Sequence, residues 1–122
     1  MQSKNPYEGF DPTFMLEQAG QDQDLFNHLL ELFIKSYPIH FARLKEAVKR
    51  KSADQIFRAA HYLVGEFISI GHPPAVEAAM ELEQIGISGK LDEASHWVER
   101  LDQSVKAIFD FSSAGLKKVS NG

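Results

Sequence analysis

Between Ser52 and Gly71 the apolar residues Ile56, Ala60, Leu63, Phe67 and Ile70 recur every three or four positions. That spacing keeps them within a stripe of about 100° on a helix, the width a core-facing helix needs. Ser52 with Gln55 three residues on is a capping-box pattern for the start, and Gly71 supplies the stop. Upstream, Leu25, Leu29, Leu32, Phe33, Phe41, Leu44 and Val48 carry helical periodicity from Asp24 onward, interrupted by Pro38. No loop signature intervenes, so this span reads as one kinked helix rather than two. Asp11 and Pro12 open a short preceding helix through about Ala19, ended by Gly20, with Phe14 and Met15 covering one end of the core.

Downstream, Pro73 and Pro74 suit the first turn of a helix to about Ile85, whose Ala75, Ala78, Ala79 and Leu82 form a small-residue face. Gly86 to Gly89 reads as the next break, and a last long helix from Leu91 turns Ala94, Val98, Leu101, Val105 and Ile108 inward, with Trp97, Phe109 and Phe111 thickening that face. No stretch alternates apolar and polar residues for long enough to make a strand. The short connections imply antiparallel neighbours. The expected fold is therefore all-α, an up-down four-helix bundle with a short additional N-terminal helix, over residues 11–116. Residues 1–10 read as a flexible lead and 117–122 as a frayed tail.

Composition narrows the function. A chain of 122 residues has room for one core, and its apolar runs are too short for a membrane span. The polar stretch from Met1 to Gly9 lacks the apolar centre of a signal peptide, and the absence of cysteine agrees with a cytoplasmic location. A net charge of -4 argues against nucleic acid as the main partner. The basic run Lys49, Arg50, Lys51 reads as a solvated helix end.

Candidate chemistry concentrates on His61. Helical geometry puts it at the border of the apolar stripe, with Phe57, Val64 and Ile68 on its core side and Arg58, Gly65 and Ser69 on its solvent side. Gly65 lies one turn on along the same face, and a glycine inside a helix costs about 1 kcal/mol relative to alanine. Access for a partner to one flank of the ring would offset that cost; a surface histidine beside a helix-packing glycine is the plainer alternative. Other chemistries find less support. Glu93 and His96 make one Glu-x-x-His match where a di-iron bundle needs two, and no two histidines share a helical turn as zinc ligands would. His28 and His40 read as solvated or edge positions and His72 as a turn residue. Nucleophile-elbow serines, cysteine nucleophiles and Gly-rich phosphate loops are absent.

The run Ala60, His61, Tyr62, Leu63, Val64, Gly65, with Gly71 ten residues after the histidine and Leu82, Glu83, Gln84, Ile85, Gly86 beyond, resembles the AHxLKG signature and following helix of histidine-containing phosphotransfer (HPt) domains. The upstream Leu29, Leu30, Glu31, Leu32, Phe33, Pro38 and Leu44 to Ala47 resemble the family's long preceding helix, so the likeness covers most of the chain. It implies a phosphorelay protein, a phosphoryl carrier rather than an enzyme, that accepts and donates a phosphoryl group on His61. The partners implied are response-regulator receiver domains or a hybrid histidine kinase, with the divalent metal ion supplied by the receiver and no cofactor or metal bound by this chain. Phe57, Arg58, Val64, Gly65 and Ile68 would form the docking face, and Glu83 would hydrogen-bond the imidazole. A monomer is expected. The family's lysine three residues after the histidine is Val64 here, and Arg58 is placed to substitute only in part, because helical side chains lean toward the N-terminus. That departure keeps a second function open: an unphosphorylated module of the same fold that docks a receiver or kinase.

Overall fold

The computed structural model describes residues 10–121, with side chains through Ser112. Five α-helices follow one another: α1 (Pro12–Gln18), α2 (Gln23–Lys49), α3 (Ala53–Ile70), α4 (Pro73–Ser88) and α5 (Ala94–Asn121), the last entered through a 3-10 turn at Leu91–Glu93. The helices α2 to α5 form the bundle, with α2 against α3, α3 against α4, α4 against α5 and α5 back against α2, while α1 packs on α2 and α3. Residues 1–9 of the expected lead lie outside the described residues, while α5 continues through the expected tail as far as Asn121. Phe10, assigned to that lead, is instead fully buried, its ring edge-on to Phe111 at 5.3 Å.

Local chemistry sets the helix ends. Asp11, Asp22 and Ser52 each accept a hydrogen bond from a first-turn amide, of Thr13, Leu25 and Gln55 respectively. The capping box is only half formed, because the Ser52 amide donates to the Ala47 carbonyl of the preceding helix end, 3.0 Å away. Gly71 ends α3 at φ 80°, and a side chain there would overlap the Phe14 ring of α1.

The expected inward stripe of α3 is buried in full, and so are Ala75, Ala78, Ala79 and Leu82 of α4. On α5, Ala94, Leu101, Val105 and Ile108 are buried and Val98 packs at the edge. α2 runs unbroken through Pro38. Its core face is displaced by one residue from the leucines that marked it in the sequence: Phe26, Leu30, Phe33 and Tyr37 point in, while Leu25, Leu29 and Leu32 are exposed. Both sets have helical spacing. The aromatic set is selected because Phe33 and Tyr37 stack on each other and close on Phe67 of α3 and Phe109 of α5, with ring centroids 5.6 to 6.4 Å apart.

Two further positions depart from the sequence reading. His72 is buried, its Nε2 donating to the Ser104 carbonyl at 2.7 Å and its ring edge-on to Phe10, so this turn residue ties the α3–α4 corner to α5. Gly86 is not a break. α4 continues to Ser88 and stops at Gly89, with Gly86 buried inside it. A Cβ on Gly86 would come within 2.6 Å of the Phe57 backbone nitrogen and 2.8 Å of its Cα, so the missing side chain is what lets α4 lie directly against α3.

Gly86→Ala should therefore destabilise the protein by about 1 to 3 kcal/mol, an overpacking cost, despite alanine's better helix propensity. Thermal unfolding checks this; an unchanged or raised melting temperature would contradict the close contact.

Candidate functional site

The α3–α4 contact fixes which residues meet across the two helices. With Gly86 against Phe57, one turn in the opposite directions brings Glu83 level with His61. Glu83 Oε2 lies 2.5 Å from His61 Nδ1. The histidine side chain is 68% exposed and the glutamate only 15%, so the carboxylate is held in the interhelical groove while the ring projects into solvent. The Phe57 ring stacks under the imidazole at 5.6 Å and 17° between planes. Two contacts, one polar and one apolar, thus orient a ring that water can reach.

The pairing also dictates the tautomer. A carboxylate only accepts hydrogen bonds, so in the neutral ring Nδ1 carries the proton and Nε2 keeps its lone pair. Nε2 has no hydrogen-bond partner among the described residues. An oriented, solvent-facing imidazole with its free nitrogen outward is equipped for nucleophilic attack on an electrophile brought by another molecule.

The remaining sequence-predicted residues divide. Gly65 is open, with no described atom beyond its own stretch of helix backbone within 4 Å of where its Cβ would stand, and Ile68 is exposed further along the same side. Val64 is half-buried at the edge of the core. Arg58 does not approach the histidine: it pairs with Asp54, 3.0 Å away, and leans toward the helix N-terminus. Glu66 is turned the other way and accepts from the Tyr62 hydroxyl. The site therefore holds one anion, Glu83, against the ring and no paired cation among the described residues. Nor does any group of three or more histidine, aspartate or glutamate side chains among them converge to hold a metal ion.

Two exposed residues of the same surface escaped the sequence reading. Met80 and Ile87 of α4 flank Glu83 one turn either side, and Met80 shares an open apolar groove with Phe14, Ile68 and Val76. Their signal was present, since both are apolar positions that fall off the alanine stripe of α4.

This arrangement is a four-helix bundle that displays a histidine whose ring is oriented by a carboxylate on the next helix. The Hpt domain model matches residues 28–111, and the chain belongs to this family of histidine phosphotransfer domains. The same fold is found in histidine-containing phosphotransfer protein B (HptB) from Pseudomonas aeruginosa PAO1, with a TM-score of 0.84 over 91% of this chain and 96% of that one. Sequence identity is 17%, so the likeness speaks for the fold alone. No curated protein matches the chain in sequence. Membership makes histidine phosphotransfer within a phosphorelay the chain's role and a carrier its chemical type. Among the described residues no helix is long and apolar enough to cross a membrane.

The open flank at Gly65 separates fold from access. Gly65→Ala should raise the melting temperature, through up to about 1 kcal/mol of helix propensity. Gly65→Gln should fold as well yet block association with a receiver domain, read by titration calorimetry; undiminished affinity in the folded Gln variant would remove Gly65 from the docking face.

Proposed function

We propose that His61 accepts and donates a phosphoryl group in exchange with the aspartate of a response-regulator receiver domain, with a hybrid histidine kinase as a further source. The observation that carries this reading is the His61–Glu83 pair, 2.5 Å apart on an exposed helix face. The Nε2 lone pair attacks the phosphorus of the aspartyl phosphate, an N–P bond forms, and the P–O bond to the aspartate breaks with its electron pair leaving on the carboxylate. No proton has to move. The proton on Nδ1 stays where it is, and the ring, cationic once phosphorylated on Nε2, faces the negative charge of Glu83. The same geometry run backward returns the group, which is what a carrier requires.

The receiver domain would supply the divalent metal ion and the charged groups that stabilise the transferring phosphoryl. This chain supplies the nucleophile and a docking face of Phe57, Val64, Gly65 and Ile68, extended by Met80 and Ile87. Its apolar character suits the desolvated centre of an interface.

Val64 sets the strength of the step. With Arg58 tied to Asp54, no cation among the described residues pairs at His61 to offset a phosphoryl charge there. At an exposed site such a pair is worth about 0.2 to 1 kcal/mol, less than tenfold in an equilibrium, so transfer is weakened and persists. Incubation with a panel of radiolabelled, phosphorylated receiver domains tests the reading. The wild type should take up label, His61→Gln should take up none with its helicity and melting transition nearly unchanged, and Val64→Lys should gain label a few-fold, more at low salt. Wild type and Val64→Lys both unlabelled, yet still binding receivers, would assign the chain to docking without transfer.

A further inference from the structure

The two flanks of α3 carry opposite charge. On the α4 side, the apolar groove that holds Met80 is edged by Asp11, Glu77 and Glu81, all exposed, and no lysine or arginine among the described residues lines it. On the α2 side, a second groove between α2 and α3 is lined by Arg43, Arg50 and Arg58, with Glu46 as its one carboxylate among the described residues. In a chain of net charge -4 this is a local reversal of sign. His61 projects from the helix that separates the two grooves.

The arginines of the basic groove are oriented without being used up. Arg50 and Arg58 each donate through Nε to a carboxylate one turn earlier on the same helix, Glu46 at 2.7 Å and Asp54 at 3.0 Å. Those contacts hold the guanidinium planes, while the terminal nitrogens of both have no hydrogen-bond partner among the described residues. Arg43 is exposed and takes part in no ion pair among them. Beside it the Tyr62 ring, 46% exposed, packs on the His40 ring with centroids 4.0 Å apart, and its hydroxyl is engaged with Glu66. Open guanidinium forks against an aromatic wall suit the planar carboxylate groups of another protein. Taking His61 as the phosphoryl acceptor, as proposed above, we infer that this groove receives carboxylate side chains of the receiver domain, and that the unlike flanks set the domain down over His61 in one orientation.

A receiver turned half-way round over His61 brings its acidic side against Glu77 and Glu81, where like charges oppose it. The groove thereby selects among receivers. Charges at the rim of an interface act mainly on the rate of productive encounter and on its salt dependence. A receiver with carboxylates placed to meet Arg43 and Arg50 reaches His61 quickly, and one without them arrives slowly.

Stopped-flow association of the full-length chain with each receiver domain of the panel tests this. Arg43→Glu removes no internal ion pair, so helicity and melting should stay as in the wild type. It should slow association by about tenfold at low salt, leave dissociation nearly unchanged, and lose most of that difference at about 0.5 M salt. Arg43→Lys keeps the charge and supplies a primary amine, which carbodiimide should couple to a carboxylate of the bound receiver, at one site located by mass spectrometry. Coupling scattered over several receiver surfaces would overturn the single orientation. Unchanged association kinetics in Arg43→Glu with no new cross-link in Arg43→Lys, while His61 still takes up label, would overturn this inference and leave the carrier reading standing. A panel in which no member binds the wild type would overturn both. Inorganic pyrophosphate binding to the free chain and lost in Arg43→Glu, with receiver kinetics unmoved, would make the groove a small-anion site and overturn the proposal.

Discussion

With no side chain on Gly86, α4 lies against the α3 backbone at Phe57, and the register of the two helices follows from that contact. Ala75, Ala78 and Ala79 continue the small-residue face along α4, so the approach is close over the length of the pair. Everything chemical about His61 depends on this register. One residue of slip would turn Glu83 by about 100°, away from the imidazole. The corner at Gly71 and the buried His72 hold one end of the pair, where Phe10, Phe14 and the Ser104 carbonyl enclose it.

The bundle therefore works as a mount rather than as a pocket. Its core, closed by the Phe33, Tyr37, Phe67 and Phe109 rings, packs α3 from inside. The outer face of that helix carries a ring whose orientation is set by Phe57 below and Glu83 beside it. Among the described residues nothing encloses the ring further, and on the proposed function the transferring group would arrive with its own stabilising charges. The apolar side chain at Val64 fits that proposed division of labour, in which the partner would bear most of the electrostatic cost of transfer.

Much of this was legible in the sequence, for identifiable reasons. The stripe of α3 and the alanine face of α4 were readable because each offers one apolar set at helical spacing. α2 offers two, and spacing alone cannot choose between Leu25, Leu29, Leu32 and Phe26, Leu30, Phe33; the aromatic contacts across three helices decide it. Gly86 was misread as a helix end because glycine marks both breaks and close crossings, and only the neighbouring backbone tells them apart. His72 looked like a turn residue since its partner, a carbonyl on α5, is distant in the chain. His61 stood out through its place at the stripe border beside Gly65, but that an acidic side chain would reach its Nδ1 came from family resemblance, as no local pattern links positions on different helices.

The central claim is that Glu83 holds the proton on Nδ1 so that Nε2 is the nitrogen that carries the phosphoryl group. Nitrogen-15 and phosphorus-31 NMR of the selectively labelled chain, before and after incubation with a phosphorylated receiver domain, tests it directly. The account predicts the Nδ1–H tautomer for the neutral ring of the free protein and a phosphorus coupling to Nε2 in the modified one. A phosphoryl group on Nδ1, or a free ring protonated on Nε2, would contradict it.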